Sequence, residues 1–291
     1  MRPWSKPLTA WHVVRHRAVI CLMSTAATAT LLGTPGKTTG PRTTKPMLLG
    51  VVSETDDAPL LSLQGAYYPG KGWRRSDTVK SFFVRGVRFT LYDARGRAIK
   101  TARVQKVQDA EEFGLSAMID AGPLSGGPFL AISGIVRPSP RPPRPQNMTD
   151  PIYQQTVSQY LQSRGIAVSR PRITQVVRAD LNGDKRDEVL IAANSPGDTN
   201  GGNLRNFYSV VLLRFIAVNG RVRTQALQAE TFARGTESDV ARYSLLGCPD
   251  IDGDGRTEIA IKASFYEDEG VYVFTFNGKA VRRVIGSDSG D

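Results

Sequence analysis

Short apolar runs alternate with polar turns along most of this chain, and the runs are too short for helices. Residues 189–193 and 259–263 are rich in branched aliphatic side chains, which is typical of strands that are buried on both faces. Residues 173–177 and 243–247 precede them as extended runs with similar spacing. The pattern therefore predicts a mostly β protein in which a pair of strands recurs.

The repeat continues into a second hairpin in each unit. Asn219-Gly220 and Asn277-Gly278 each lie between two extended runs, and Asn-Gly in this position is a strong signal for a hairpin turn. Each unit is therefore predicted to contain about four strands, and a loop insertion at 194–206 lengthens the first unit. The flanking runs are 210–216, 221–226, 271–276 and 279–284.

An acidic loop joins the first two strands of each unit. Residues 180–188 and 250–258 carry oxygen-bearing side chains at loop positions 1, 3, 5 and 9, and position 7 offers a backbone carbonyl. Such a set can supply the about six to eight oxygen ligands that Ca²⁺ takes. The predicted ligands of site one are Asp180, Asn182, Asp184, the carbonyl of Arg186, and Glu188, and those of site two are Asp250, Asp252, Asp254, the carbonyl of Arg256, and Glu258.

The flanking strands exclude an EF-hand. Loop position 12 is Ile191 or Ile261, where an EF-hand has a bidentate Glu that leads into a helix. A solvated acidic turn without metal is the alternative, but two copies at equivalent places in a repeat favour a metal. We predict Ca²⁺ as the cofactor, in a structural role, because the ligand set leaves no open position for a substrate.

These loops and strands resemble the FG-GAP or VCBS-type repeat, which occurs in bacterial exported repeat proteins and in integrin α-subunit heads. Residues 250–259 are close to the family loop Asp-x-Asp/Asn-Gly-Asp-Gly-x-x-Asp/Glu, whereas the first copy has Lys185 where glycine is usual. The similarity covers about residues 170–285 and implies two propeller-blade-like units with calcium loops. Two blades cannot close a propeller ring, which needs about four to eight.

A second β-rich region, residues 47–137, precedes the repeat. Residues 82–92 and 97–107 flank a four-residue turn, and apolar and polar positions alternate along 87–92, as in a half-buried strand. Short strands of this kind predict a small β-sandwich-like domain. Further strands are predicted at 48–53, 60–67, 115–119 and 129–136.

A linker rich in proline and arginine, residues 138–149, separates this region from the calcium-loop β-repeat domain, residues 150–291. The density of proline favours an extended spacer. One helix is predicted to open the second domain, because Asp150 can cap it, Pro151 suits its first turn and Gly165 can end it.

The first residues are typical of an export signal. A basic segment without acids precedes an apolar stretch that starts at Ala18, and Ala27-Thr28-Ala29 offers a cleavage site. We therefore predict a signal peptide at 1–29 and a flexible spacer at 30–46. The expected location is outside the cytoplasm (periplasmic, cell surface or extracellular), where calcium is plentiful enough for weak sites.

Composition narrows the classes of function. Both histidines, His12 and His16, lie in the predicted leader, so the mature chain has none for a nucleophile pair, a general base or a zinc site. Cys248 would be the one cysteine left, which excludes an intramolecular disulfide. The net charge of +11 favours anionic polymers, but no module for specific nucleic-acid binding is present and no apolar stretch is long enough to cross a membrane.

These features predict a non-catalytic, calcium-stabilised binding or scaffold module at the cell surface, with an envelope protein or an anionic glycan as its partner. Two alternatives stay open. A partner-dependent subunit would complete a sheet or propeller with another chain, and a carboxylate-dependent glycan hydrolase needs only two acids about 5 to 10 Å apart. The candidate acids are Glu111, Glu112, Glu267, Asp268 and Glu269, for which a solvated charged surface is the simpler interpretation.

Overall fold

The structure, a computed structural model, describes residues 45–53, 59–110, 114–136, 141–196, 204–234, 240–265 and 269–286. The predicted signal peptide, 1–29, and the predicted spacer up to residue 44 lie outside these residues. Residues 43–291 belong to one compact unit, and its described part is mostly β, as predicted. No helix in the described ranges is long and apolar enough to cross a membrane.

The N-terminal region contributes seven strands. They are β1 (Met47–Ser53), β2 (Leu60–Tyr68), β3 (Gly72–Arg75), β4 (Arg88–Tyr92), β5 (Ala98–Ala110), β6 (Gly114–Ile119) and β7 (Phe129–Ile132). Six of them close into an antiparallel barrel in the order β1-β2-β6-β5-β4-β7, because β1 pairs with both β2 and β7. The prediction of a sandwich is therefore corrected: one ring of strands replaces two open sheets.

Alternate side chains of the barrel strands fill its interior. Leu48, Phe89 and Ala117 share one core, and a 3-10 helix, Ser76–Phe82, adds the buried side chain of Val79. The predicted strand 82–92 begins only at Arg88, because the chain turns at Gly86, whose φ is +87°. Positive φ values suit glycine, which has no Cβ to clash with the backbone.

The C-terminal region contributes one α-helix and nine strands. They are β8 (Arg144–Pro145), α1 (Pro151–Ser163), β9 (Ile173–Ala179), β10 (Glu188–Asn194), β11 (Phe207–Ile216), β12 (Val222–Phe232), β13 (Arg242–Gly247), β14 (Ile259–Ser264), β15 (Glu269–Phe276) and β16 (Val281–Ile285). Helix α1 begins as predicted: the Asp150 side chain accepts a hydrogen bond from the Ile152 N–H at 2.9 Å, and Pro151 occupies the first turn.

Both predicted repeat units fold as four-stranded antiparallel meanders. We call β9–β12 the first sheet and β13–β16 the second sheet. The acidic loops join β9 to β10 and β13 to β14, and the Asn-Gly turns join the last two strands of each sheet. The order of strands, loops and turns within each unit is the predicted one.

Part of the predicted linker is paired rather than free. Strand β8 extends the first sheet at the edge of β9, with Arg144 opposite Arg178 and Pro145 opposite Val177. An edge strand tolerates Pro145, which has no backbone N–H to donate. The prediction of an unpaired spacer is therefore wrong for Arg144 and Pro145.

The two sheets stack face to face, and other elements cover their outer faces. Leu190, from the first sheet, and Ile261, from the second, belong to the core between the sheets. Helix α1 covers the outer face of the first sheet through residues such as Val157. The outer wall of the barrel, formed by β1 and β7, covers the outer face of the second sheet. The order of layers is helix, sheet, sheet, barrel.

We expect Leu130→Ala to lower the free energy of unfolding by about 2 to 5 kcal/mol. Leu130 is fully buried and belongs to the core between the barrel and the second sheet, so truncation leaves a cavity in that interface. Urea unfolding measures the change. Val218→Ala is the control, because Val218 is 82% exposed and its effect should stay within about 0.5 kcal/mol. A similarly small effect at Leu130 would contradict the packing of the barrel on the sheet.

Candidate metal centre

Each acidic loop lies between the first and second strands of its sheet. Loop one comprises residues 180–188 and loop two residues 250–258. Strand β10 begins at Glu188, and β14 begins directly after Glu258. The last carboxylate of each loop is therefore held at the end of a strand that is buried on both faces.

Loop two brings three carboxylates together. Asp250, Asp252 and Asp254 each place an oxygen within 4.8 Å of the others, and they are the one such group of three found among the described residues. Asp250 is buried, Asp252 is half-buried and Asp254 is exposed. They are the first three predicted ligands of site two, and together they could hold a metal ion.

Backbone amides of loop two orient these carboxylates. The Asp252 side chain accepts a hydrogen bond from the Asp254 N–H at 3.1 Å, and the Asp254 side chain accepts one from the Arg256 N–H at 2.8 Å. Asp250 accepts bonds from the Gly253 N–H at 2.8 Å and the Gly255 N–H at 3.2 Å. The loop thus curls around its acidic side chains and uses only part of their acceptor capacity.

Loop one repeats most of this pattern. The Asn182 side chain accepts from the Asp184 N–H at 2.9 Å, the Asp184 side chain from the Arg186 N–H at 2.8 Å, and Asp180 from the Lys185 N–H at 2.9 Å. The Asn182 amide nitrogen lies 3.4 Å from oxygens of both Asp184 and Glu188. The side chains of Asn182, Asp184 and Glu188 therefore lie close together, with the amide nitrogen of Asn182 and not its oxygen facing the two carboxylates. The carbonyls of Arg186 and Arg256 stay predicted ligands.

The last carboxylate of each loop is buried and holds the loop closed. Glu188 accepts a hydrogen bond from the Leu181 N–H at 2.9 Å, and Glu258 accepts one from the Ile251 N–H at 2.7 Å. Burial, together with nearby carboxylates that include Asp252, raises the pKa of Glu258 to about 8. Burial and the neighbouring acids of loop one likewise raise the pKa of Glu188 to about 7. Both sites therefore disfavour negative charge unless a cation compensates it.

The two loops differ at the sixth position. Gly255 has a φ of +88°, and Lys185 adopts the same left-handed backbone with a φ of +71°. A residue with a Cβ is strained there by about 1 to 2 kcal/mol. Loop one is therefore the more strained of the two loops.

The loops also differ in how their charge is balanced. Arg141 lies 3.0 Å from Asp187 and 3.9 Å from Asp180, and Arg144 forms an ion pair with Asp187. Arg141 also donates a hydrogen bond to the carbonyl of Lys185. In the described part of the chain, by contrast, no lysine or arginine forms an ion pair with the carboxylates of loop two.

The loops contact each other. The Thr257 N–H donates a hydrogen bond to the Leu181 carbonyl at 3.1 Å, and the Leu181 N–H is bound by Glu188. A Cβ on Gly183 would come within 3.2 Å of the Gly255 carbonyl oxygen. The eight acidic or amide side chains predicted as ligands therefore lie in one region, where the two sheets meet.

The donor set fits a hard metal ion. One carboxylate oxygen of Asp180, Oδ1, is buried and has no hydrogen-bond partner among the described residues, and the loop-two acids have acceptor capacity to spare. All the side-chain atoms predicted to bind the metal are oxygens. Ca²⁺, Mg²⁺ and Mn²⁺ prefer oxygen ligands, whereas Zn²⁺ prefers nitrogen and sulfur.

A cleft beside loop two is a feature that the sequence analysis missed. Its volume is about 540 Å³, and we call it the barrel cleft because Tyr67 and Trp73 of the β2–β3 hairpin line one part of it. Loop two and the β15–β16 turn supply the rest. The negative charges of loop two contribute, after burial, to a raised pKa of Tyr67. In the sequence, Trp73 in a glycine-rich loop is the one hint of this surface. No pattern in the neighbouring residues places it beside loop two.

The acids named as candidates for glycan hydrolysis do not form a catalytic pair among the residues that the structure describes. Glu111, Glu112, Glu267 and Asp268 lie outside the described residues. Glu269 pairs with Lys262 and accepts a hydrogen bond from Ser53. Cys248 is buried, and burial raises the pKa of its thiol to about 12, so it is a packed side chain and not a thiolate nucleophile.

No protein-family model, curated protein or solved structure matches this chain. The resemblance to FG-GAP or VCBS-type repeats therefore stays a prediction that rests on the loop residues and on the order of strands.

We expect the metal-free protein to lose stability as the pH rises from about 5 to 8. The folded-state pKa is about 8 for Glu258 and about 7 for Glu188, above the value of about 4.3 for an unfolded glutamate. Between these values the folded state binds more protons than the unfolded state, so stability falls with pH. Thermal melts in a chelator measure the slope.

Glu258→Gln is the matched variant for this prediction. The neutral amide cannot titrate, so the decline in melting temperature should become shallower, chiefly in the upper part of the range. A melting temperature of the unmodified chain that rises with pH over this range would contradict the raised pKa values.

Proposed function

We propose that this protein is a non-catalytic binding or scaffold module whose acidic loops bind Ca²⁺ and that works outside the cytoplasm. One observation carries the calcium proposal. The carboxylates of loop two lie together with no lysine or arginine paired to them in the described ranges. Charges that are partly buried need a partner or they neutralise, and a divalent cation is the partner that the oxygen donors favour.

Calcium fits these loops better than other divalent ions. Loop two offers three aspartates and a glutamate, with a backbone carbonyl from Arg256 as a further predicted donor, and Ca²⁺ accepts such irregular oxygen sets. Mg²⁺ demands near-ideal octahedral geometry and keeps several waters. Zn²⁺ prefers nitrogen and sulfur ligands, and the one cysteine near the loop, Cys248, is buried and protonated.

Site two is the stronger site in this proposal. It carries four carboxylates, whereas site one has the neutral Asn182 in place of one of them. Lys185 strains site one, and Arg141 already supplies positive charge close to Asp180. Both charge and backbone strain therefore favour binding to loop two.

A structural role for the metal follows from where the loops lie. They contact each other at the junction of the two sheets, through Thr257 and Leu181. A cation at loop two would neutralise charge at this junction and restrain the connection from β13 to β14. Because it binds only the folded loop, it would stabilise the fold by mass action.

The arrangement of layers supports a module that folds without a partner. Helix α1 and the barrel already cover the outer faces of the two sheets. This weakens the alternative in which a second chain completes a propeller, because that alternative needs an uncovered sheet face. The repeat type proposed for the two sheets is the FG-GAP or VCBS type, on the strength of the two loops and the shared order of strands. An envelope protein or an anionic glycan stays the proposed class of partner for the basic surface of the protein.

We expect Ca²⁺ to raise the melting temperature, and Asp252→Ala to remove more of this gain than Asn182→Ala. At a concentration about 100 times Kd, a bound ion adds about 2.7 kcal/mol of stability, and Asp252 contributes charge to the stronger site. Calorimetric titration measures the affinity for Ca²⁺. Thermal melts at a fixed calcium concentration measure the rise in melting temperature. Asp77→Ala is the control and should change neither the affinity nor the melting-temperature gain, because Asp77 is exposed and belongs to neither loop nor to the lining of the barrel cleft.

Absence of binding at millimolar calcium would overturn the calcium proposal. Equal losses in Asp252→Ala and Asn182→Ala would show instead that charge and backbone strain do not rank the two sites.

We expect no glycan hydrolysis by the purified protein. Glu269 is engaged by Lys262 and Ser53, and no histidine follows His16 in the chain. Release of reducing sugar from a panel of polysaccharides is the measurement. Turnover that disappears in Glu111→Gln or Glu267→Gln would replace the binding proposal with the hydrolase alternative.

A further inference from the structure

The barrel cleft combines three kinds of side chain that a purely structural metal site does not need. Aromatic rings line it from the barrel, carboxylates line it from loop two, and arginines line it from loop two and β16. Its volume of about 540 Å³ lies within the usual range of small-ligand sites, about 300 to 1,000 Å³. The cleft therefore has the size and the mixed lining of a binding site.

The aromatic part of the cleft is held in place by strand pairing. Tyr67 of β2 lies opposite Trp73 of β3 in the register of the hairpin, and their ring centroids are 5.3 Å apart. Both side chains are half-buried and pack against the core between the barrel and the second sheet. Such rings offer a rigid apolar surface with a polar end, which suits a ligand that has both apolar and polar faces.

The charged part of the cleft argues against a ligand with a net charge. Even with one Ca²⁺ bound, the three aspartates of loop two keep a net negative charge that disfavours an anion, and Arg256 and Arg282 disfavour a cation. Ionised carboxylates only accept hydrogen bonds and guanidinium groups only donate them. A neutral hydroxyl both donates and accepts, so it can bond to either group.

A buried hydroxyl next to the cleft also lacks a partner. Thr257 is 4% exposed and lines the cleft, and its Oγ1 has no hydrogen-bond partner among the described residues. Leaving such a group unpaired costs about 1 to 3 kcal/mol. Because this oxygen has almost no exposed surface, a ligand in the cleft would reach it only if the Thr257 side chain rotated.

We propose that the barrel cleft binds a neutral glycan. The apolar face of a sugar ring packs against Trp73 and Tyr67, and its hydroxyls bond to the carboxylates of loop two and to Arg282. The inference rests on the proposed function, because Ca²⁺ bound at Asp250, Asp252 and Asp254 fixes the acidic side of the cleft. It adds to that function the class of ligand and the surface that recognises it.

An array of neutral oligosaccharides, probed with the full chain in calcium buffer, tests the proposal first. Binding of the best sugar is then measured by calorimetry and by fluorescence in a Trp4→Phe/Trp11→Phe background, where Trp73 is the single tryptophan. We expect saturable binding with a change in Trp73 emission. Trp73→Ala and Arg282→Ala should each weaken the calorimetric affinity at least tenfold, and Trp73→Phe should retain part of it.

Two neighbouring residues serve as matched controls. Arg283 follows Arg282 on the same strand and lies over the ring of Tyr272 instead of lining the cleft, and Phe82 packs against Tyr68. Arg283→Ala and Phe82→Ala should leave the affinity for the sugar unchanged. Calcium titration of every variant should give the same affinity as the unmodified chain.

The outcomes separate this inference from the proposed function. If the chain binds calcium but no sugar on the array, or if Trp73→Ala binds the sugar as tightly as the unmodified chain, the glycan proposal fails and the calcium proposal stands. If a lysine-rich peptide changes Trp73 emission and no sugar does, the cleft takes a cation and the proposal is wrong. If no calcium binds, the proposed function itself fails.

Discussion

The stack of layers depends on one constraint: the central strands of both sheets are buried on both faces. β10 and β14 are buried along nearly their whole length, so neither sheet is stable with one face in water. The sheets cover each other on the inside. On the outside, a helix and a barrel of unrelated sequence provide the remaining cover, much as terminal caps do in repeat proteins. Two repeat units are therefore sufficient here because the rest of the chain closes both ends of the stack.

Charge at the junction of the sheets follows from the same arrangement. The stacking of the two sheets brings the two loops together, and their carboxylates would repel one another without compensation. Arg141 and Arg144, from the segment before helix α1, form ion pairs with Asp187 and so balance part of the negative charge of loop one. Loop two receives no such partner within the described residues. The negative charge of loop one is thus balanced by arginine side chains, whereas the negative charge of loop two is left for a bound cation in the proposed function.

Local patterns in the sequence predicted the repeat well and the barrel poorly. The acidic loops, the Asn-Gly turns and the cap at Asp150 are short signals whose geometry depends on a few adjacent residues, and all three lie where they were expected. Closure of the barrel depends instead on β1 pairing with β7, about eighty residues away along the chain, and no local period encodes that. The same is true of Arg141 at loop one and of Trp73 beside loop two. All three features depend on contacts between segments that are far apart in the sequence, which local patterns do not reveal.

Contacts between β2 and the last two strands, β15 and β16, join distant parts of the chain. Gln64 accepts a hydrogen bond from the Val271 N–H at 3.2 Å, and a Cβ on Gly65 would lie 2.6 Å from the Ile285 side chain. Such pairings join residues that are more than two hundred positions apart, and non-local contacts slow folding because loop closure must precede them. The barrel wall gains its outer cover only after β16 has been synthesised. A chain with these contacts can complete the packing of its barrel wall only once its last strands are available.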